Sequence, residues 1–350
     1  MNNLQVLGKF LDQPILVSKF QRAVPAVLTT GALAYTVQDA SKVEKEKRKN
    51  RALKTGITLG VTVASAIAAP HIASKISKRP LSDSLNTVKK NNKEIIDSFI
   101  KTTNVDEATK NILTKGKEKV LNFKEVKNIF EKVKDKDFLE KFIPSPQNVS
   151  AKDIFSEIGY LSIYGAVPVV GGIAGGIIAD RVTDKESWKD KIPNKIKEGS
   201  YQYLANIFMC NVGAGLALGL LEKLGITSKS ARAAGMTTGI ILTGIIGGSK
   251  IANLISEKFI EPLCSKKQKK DANDISDINF IKKDSSEHII KNTSTCHKKE
   301  KERTPEVLDI GLHTDDIATV SLLSGLKWIE PALPVMYTLS GYRAGIGYRN

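Results

Sequence analysis

The sequence predicts an all-α, polytopic membrane protein of glycine-rich helical hairpins, on three observations. Uncharged runs of 16 to 23 residues recur five times; glycines stand four apart within them; and charge is gathered between them. The mean hydropathy of -0.16 therefore averages two unlike kinds of segment. The central run, Ile158 to Ala179, has 22 residues between Glu157 and Asp180. As a helix it is about 33 Å long, against a hydrocarbon core of roughly 30 Å. Gly171/Gly175 and Gly172/Gly176 lie one turn apart, leaving a flat face on which another backbone can pack.

Taken in order, residues 1-74 read as an amphipathic N-terminus and a first membrane hairpin. Leu4, Leu7, Phe10 and Leu11 have helical spacing and suit a short interfacial helix over the first 22 residues. Ala23 to Gln38 is uncharged for 16 residues, short for a span, so a tilted or re-entrant segment is the alternative. Asp39 to Lys54 carries seven basic and three acidic residues, and Thr55 to Ser74 is an uncharged stretch of 20 with the Gly56/Gly60 pair. His71 near its end fits an interface better than a proton path.

Residues 75-152 are basic and extramembrane. Val126, Ile129, Phe130 and Val133 repeat at i, i+3, i+4 and i+7, and Ile95, Ile96, Phe99 and Ile100 form a shorter stripe, so amphipathic helices pack on one another here.

Residues 153-256 hold three membrane helices, about 158-179, 199-221 and 233-249. Gly215/Gly219, Gly235/Gly239 and Gly244/Gly248 repeat the four-residue spacing, and the short turn between the second and third runs makes an antiparallel hairpin. Pro168 marks a helix bend, and Trp188 in the preceding linker suits an interface anchor. Residues 257-316 are lysine-rich with little apolar content, the composition of a disordered loop.

Residues 317-350 make the last membrane segment. Thr314, Asp315 and Asp316 suit a helix start. Lys327 and Glu330, three apart, form a candidate intramembrane pair, and Pro331 and Pro334 predict a bend. Laying 153 to 181 over 319 to 347 matches Gly159 with Gly325, Pro168 with Pro334 and Gly175 with Gly341, and the runs near Thr55 and Thr238 both open with TGI. This is the pattern of a 3+3 internal repeat with an inverted second half, in competition with chance similarity of Gly/Ala/Ile-rich runs.

Composition narrows the partners. The net charge of +16 rests on lysine, with nine arginines among 53 basic residues, and no recognition helix or aromatic-basic pattern accompanies it. Nucleic acid is therefore not expected; a lipid bilayer with anionic headgroups is, together with a second copy or a protein partner. Cys210, Cys264 and Cys296 form no CxxC pair, and no cleaved signal is read at the N-terminus. His288, Cys296 and His297 match no zinc spacing, and His313 stands beside aspartates already explained as a helix start, so no metal is expected. VVGGIAGG lacks GxGxxG spacing and lies within an apolar helix. No catalytic motif or cofactor loop is present, and the chain reads as a non-enzyme.

Two function classes follow. The first is a non-catalytic membrane scaffold or membrane-organising protein packed through Gly-xxx-Gly faces. The second is a secondary transporter or channel-like protein built on the inverted repeat. The scarcity of polar groups within the uncharged runs favours the first.

Overall fold

The computed structural model describes residues 3–81, 83–144, 151–226, 228–260, 262 and 327–347. These residues are all-helical, without a strand among them. Three helices are long and apolar enough to cross a membrane: Lys45–Ser77, Phe155–Thr183 and Lys189–Lys223. The runs Ala23 to Gln38 and Ala233 to Ser249 are not among them.

The helices extend well past the uncharged runs. Asn3–Leu11 (α1) and Pro14–Ser41 (α2) divide at Asp12 and Gln13, not near residue 22. Pro14 takes the first helical position, where its missing N–H leaves nothing unpaired, and the helix continues through Pro25. Lys45–Ser77 (α3) begins ten residues upstream of its apolar run, inside the basic segment. Ala151–Thr183 (α8) is one helix with Pro168 inside it. Ile192–Tyr203 (α9) passes through a π turn, Leu204–Met209, into Cys210–Lys223 (α10). Lys229–Ile240 (α11) passes through a second π turn, Ile241–Gly248, into Ser249–Ile255 (α12) and a third, Ser256–Ile260. A 3-10 segment, Lys327–Ala332, leads into Leu333–Ile346 (α13).

Residue pairs give each helix its direction. Lys54 meets Asp180 and Arg79 meets Glu157, so α3 and α8 run antiparallel over their whole lengths. Lys195 meets the same Asp180, and Gly215 of α10 lies on Ile158 and Phe155, so α9–α10 is antiparallel to α8 as well. Gly213 against Gly239 and Ala205 against Gly248 set α11–α12 antiparallel to α9–α10. In contrast, Gly172 lies on Gly341 and Gly176 on Gly345, so α8 and α13 run parallel. An inverted 3+3 repeat would oppose these two helices. The bundle thus has an Asp180 end and a Glu157 end.

Between α3 and α8, and joined to the Glu157 end, stands a second core. Leu85–Thr102 (α4), Glu107–Gly116 (α5), Phe123–Lys132 (α6) and Lys136–Phe142 (α7) each begin with a side-chain cap, from Ser84, Asp106, Asn122 and Asp135. Such caps satisfy backbone N–H groups that a helix start leaves open. Ile96, Phe99, Leu113, Val126, Ile129 and Phe138 are buried together, with Phe99 and Phe138 stacked at 3.9 Å, and Val6 of α1 joins them. Phe130, Ile95 and Ile100 pack against this core from partly buried positions.

Candidate functional site

The apolar bundle holds its charges inside. Asp180, at the end of α8, is fully buried between the Lys54 ammonium at 2.6 Å and that of Lys195 at 2.9 Å. Lys195 is itself closed to solvent and donates to the carbonyls of Gly345 at 2.5 Å and Ile346 at 3.4 Å. It therefore neutralises a carboxylate and satisfies the C-terminal carbonyls of α13 in one place, a role that helix C-termini favour for cations. Nearby, Asp39 takes a two-pronged contact from Arg51, at 2.6 and 3.0 Å, and a hydrogen bond from the Thr55 hydroxyl at 2.6 Å. These pairs tie α2, α3, α8, α9 and α13 together at one end.

From Lys195 a polar row continues along α9. Glu198 faces Arg343 Nε at 3.6 Å; Gln202 donates to Glu198 at 2.8 Å; and Asn206 donates to Gln202 at 2.9 Å. Glu198, Gln202 and Asn206 are all buried. Their spacing of about four residues puts them on one face, so each serves the next. Ser162 Oγ on α8 and Ser340 Oγ on α13 are buried with no hydrogen-bond partner. The row ends where the π turns of α9–α10 and α11–α12 meet. There Thr243 donates to Met209 O at 2.8 Å, supplying a hydrogen bond to a carbonyl at the turn's edge.

Outside this end, Asp184 lies in the turn between α8 and α9. The Lys191 ammonium and the Ser187 hydroxyl and N–H hold its carboxyl far below the usual carboxylate range. Trp188 in the same turn has the Arg181 guanidinium and the Lys189 ammonium each 5.8 Å from its ring.

The glycines singled out by spacing occupy unlike environments. A Cβ on Gly172 would lie 1.7 Å from Gly341 O, and one on Gly176 2.0 Å from Gly345 O. A Cβ on Gly171 would lie 2.0 Å from Ser65 Oγ and one on Gly175 2.9 Å from the Thr58 carbonyl oxygen, so neighbouring faces of α8 meet α3 and α13. Gly239 would meet Gly213 O at 2.3 Å, Gly244 the Cys210 sulfur at 2.1 Å, Gly248 the Ala205 Cα at 2.7 Å, Gly235 the Leu221 side chain at 2.4 Å and Gly215 that of Ile158 at 2.8 Å. Gly56 makes only an ordinary contact with Thr36 at 3.6 Å, and nothing lies within 4 Å of a Cβ at Gly60.

At the Glu157 end, helices α2, α3 and α8 and the 3-10 segment enclose a cleft of about 250 Å³. Val24, Ile67 and Leu81 give it apolar walls, and Gln21, His71, Tyr160, Tyr164 and Glu330 give it polar groups. Glu330 is half-buried there; Lys327 opens the 3-10 segment. Pro331 lies inside that segment and Pro334 at the second position of α13, where its missing N–H leaves nothing unpaired. Gly219 is half-buried on α10. The Thr314 to Asp316 helix start and His288, Cys296, His297 and His313 lie outside the described residues.

Sequence reasoning misses Asp180, Lys195 and Glu198 because each sits just beyond an uncharged run, where composition alone gives no sign of burial. One signal was present: Lys195, Glu198, Gln202 and Asn206 recur at i, i+3, i+7 and i+11, a polar stripe on a single helical face. Gly341 and Gly345 were also missed as partners of α8, although they repeat its four-residue spacing. Among the described residues no group of three or more His, Cys, Asp or Glu side chains is placed to hold a metal ion. Comparison with protein families, curated proteins and solved structures gives no match to this chain.

Proposed function

We propose that the protein is a multi-pass, non-catalytic membrane scaffold whose helices are fixed to one another through glycine contacts. The observation that carries this reading is the inside-out distribution of polarity in the bundle. Asp180, Lys195, Glu198, Gln202 and Asn206 are buried, while Val170, Ile178, Leu216, Leu220 and Leu242 are exposed on its outside. A surface of that kind is stable against acyl chains, where the helical backbone satisfies itself and apolar side chains need no cover. The Asp180 end carries exposed Lys45, Lys47, Arg48 and Lys49 in the first turns of α3, a cluster suited to anionic headgroups. Fractionation of expressing cells tests this. The protein should stay in the membrane pellet after carbonate extraction, and release by carbonate or high salt would refute the reading.

The polar row on α9 favours a second reading, a transporter or channel-like protein. Buried polar groups in an apolar helix are costly and commonly mark a path for ions or substrate. The reading predicts ion or proton flux in proteoliposomes that falls when Gln202 and Asn206 are both changed to Leu. Vesicles no more permeable than protein-free ones would leave the scaffold.

A further inference from the structure

Three interrupted helices open onto one cleft. In an α-helix the carbonyl of residue i accepts from the N–H of residue i+4, and a proline at i+4 has none to give. Among the described α-helices, three carry a proline in their interior: Pro25 in α2, Pro70 in α3 and Pro168 in α8. The residues four places before them are Gln21, Ala66 and Tyr164. All three line the cleft at the Glu157 end, and Pro25 and Pro70 line it with them. In each helix, therefore, the residue whose carbonyl loses its donor borders the same space. Carbonyl oxygens relieved of that donor carry undiminished partial negative charge, and Glu330 adds a carboxylate to the lining.

The rest of the lining fixes the chemistry further. Among the described residues it includes no lysine or arginine side chain. Tyr160 already accepts a cation on its ring, the Arg79 guanidinium at 5.4 Å, and the Tyr164 ring lies 5.7 Å from that of Tyr160. Aromatic faces and carbonyl oxygens attract the same kind of guest, a cation. About 250 Å³ is several times the volume of one water, far larger than a bare alkali ion needs, and Val24, Ile67, Leu81 and the prolines offer it carbon surface. The geometry points to a binding site for a small alkylammonium group, with the nitrogen held by the proline-released carbonyls and Glu330 and the alkyl part against the apolar wall. The group can belong to a free amine or to an ethanolamine lipid headgroup. The inference needs the three proline-containing helices and Glu330 of the 3-10 segment, and stands or falls separately from membrane insertion.

The test uses the full chain purified in a non-ionic detergent, with thermal stability and calorimetric binding as readouts. Butylammonium chloride, n-butanol and potassium chloride are compared, followed by micelles doped with phosphatidylethanolamine. Saturable stabilisation by butylammonium and not by butanol or potassium is expected, and it assigns a free amine. Stabilisation by the ethanolamine lipid alone assigns the headgroup. Glu330→Gln should weaken binding about tenfold, equivalent to about 1.4 kcal/mol. Pro70→Ala restores an N–H opposite the Ala66 carbonyl; it should weaken binding severalfold while leaving the unliganded protein at least as stable, because interior proline disfavours a helix. No stabilisation by either ammonium source, equal effects of butanol or potassium, or unchanged binding in both variants would overturn the proposal.

Discussion

Lys195 and Asp180 face each other at 2.9 Å with both side chains shut off from solvent, and the same carboxylate also holds Lys54 at 2.6 Å. The three groups are unequal. Removing the single acid leaves two cations without their counter-charge, one of them buried, whereas removing Lys54, about one-third exposed, leaves Asp180 still paired. Asp180→Leu should therefore cost about 3 to 5 kcal/mol and Lys54→Met clearly less. Thermal unfolding in detergent checks the order. Combining Asp180→Leu with Lys195→Met should recover part of the loss, and strict additivity would show that the pair is not coupled.

Close approach of α8 to α13 makes a sharper prediction than glycine spacing alone. At Gly172 the obstacle is the Gly341 carbonyl itself, so no side chain can swing aside to admit even a methyl group. Gly172→Ala should lower stability by about 1 to 3 kcal/mol, the range for overpacked cores. Gly60→Ala, where nothing lies within 4 Å, should be neutral or stabilising by up to about 1 kcal/mol. Equal melting temperatures for the two variants would contradict the packing described.

Gln13 fastens the start of the chain to the α4–α7 bundle. Its amide nitrogen donates to Leu121 O at 2.9 Å, and its oxygen accepts from Leu121 N at 2.8 Å, while Lys9 donates to Ile143 O at 2.7 Å. Gln13→Ala strands a buried N–H and carbonyl and should cost about 1 to 3 kcal/mol. Faster proteolysis within residues 3–13 is the expected readout; an unchanged cleavage rate would deny that this contact anchors α1.

The helical caps of the same bundle titrate. The Thr109 hydroxyl and N–H, with Lys132 beyond them, hold Asp106 below its ordinary value of 3.8. Lys117 does the same to Asp97. A folded-state pKa below the unfolded one stabilises the fold above the ordinary carboxylate range, and the contribution disappears as pH falls through the depressed value. Amide exchange in α5 should thus accelerate as pH drops below about 4, once the intrinsic acid dependence of exchange is divided out. In Asp106→Asn, which keeps a capping oxygen, that acid-dependent loss should shrink.

Helix type and the main apolar faces were legible because periodicity and uncharged length are local properties. Val126, Ile129 and Phe99 could be assigned to a core from spacing, and the long α8 from its run of 22 uncharged residues. Helix ends were not, since a charged side chain does not stop a helix: α3 starts among six basic residues and α9 among lysines. The ionic set at Asp180 was hidden for the same reason. It draws residues 54, 180, 195 and 343 from four segments, and no spacing rule brings such positions together. The proline gaps were visible one at a time, but their convergence is a property of packing.

The parallel course of α8 and α13 decides which basic surfaces lie at the same end of the bundle. The Ser256–Ile260 turn packs beside α9 at the Asp180 end, and the 3-10 segment Lys327–Ala332 lies at the Glu157 end, where α8 begins. The basic start of α3 and the last turn of α13 share one end of the bundle, while the α4–α7 bundle is joined to the other. For the proposed membrane scaffold this division predicts that orientation follows the short lysine-rich turns at the Asp180 end, because the positive-side preference is carried by short loops and not by a folded bundle such as the one opposite.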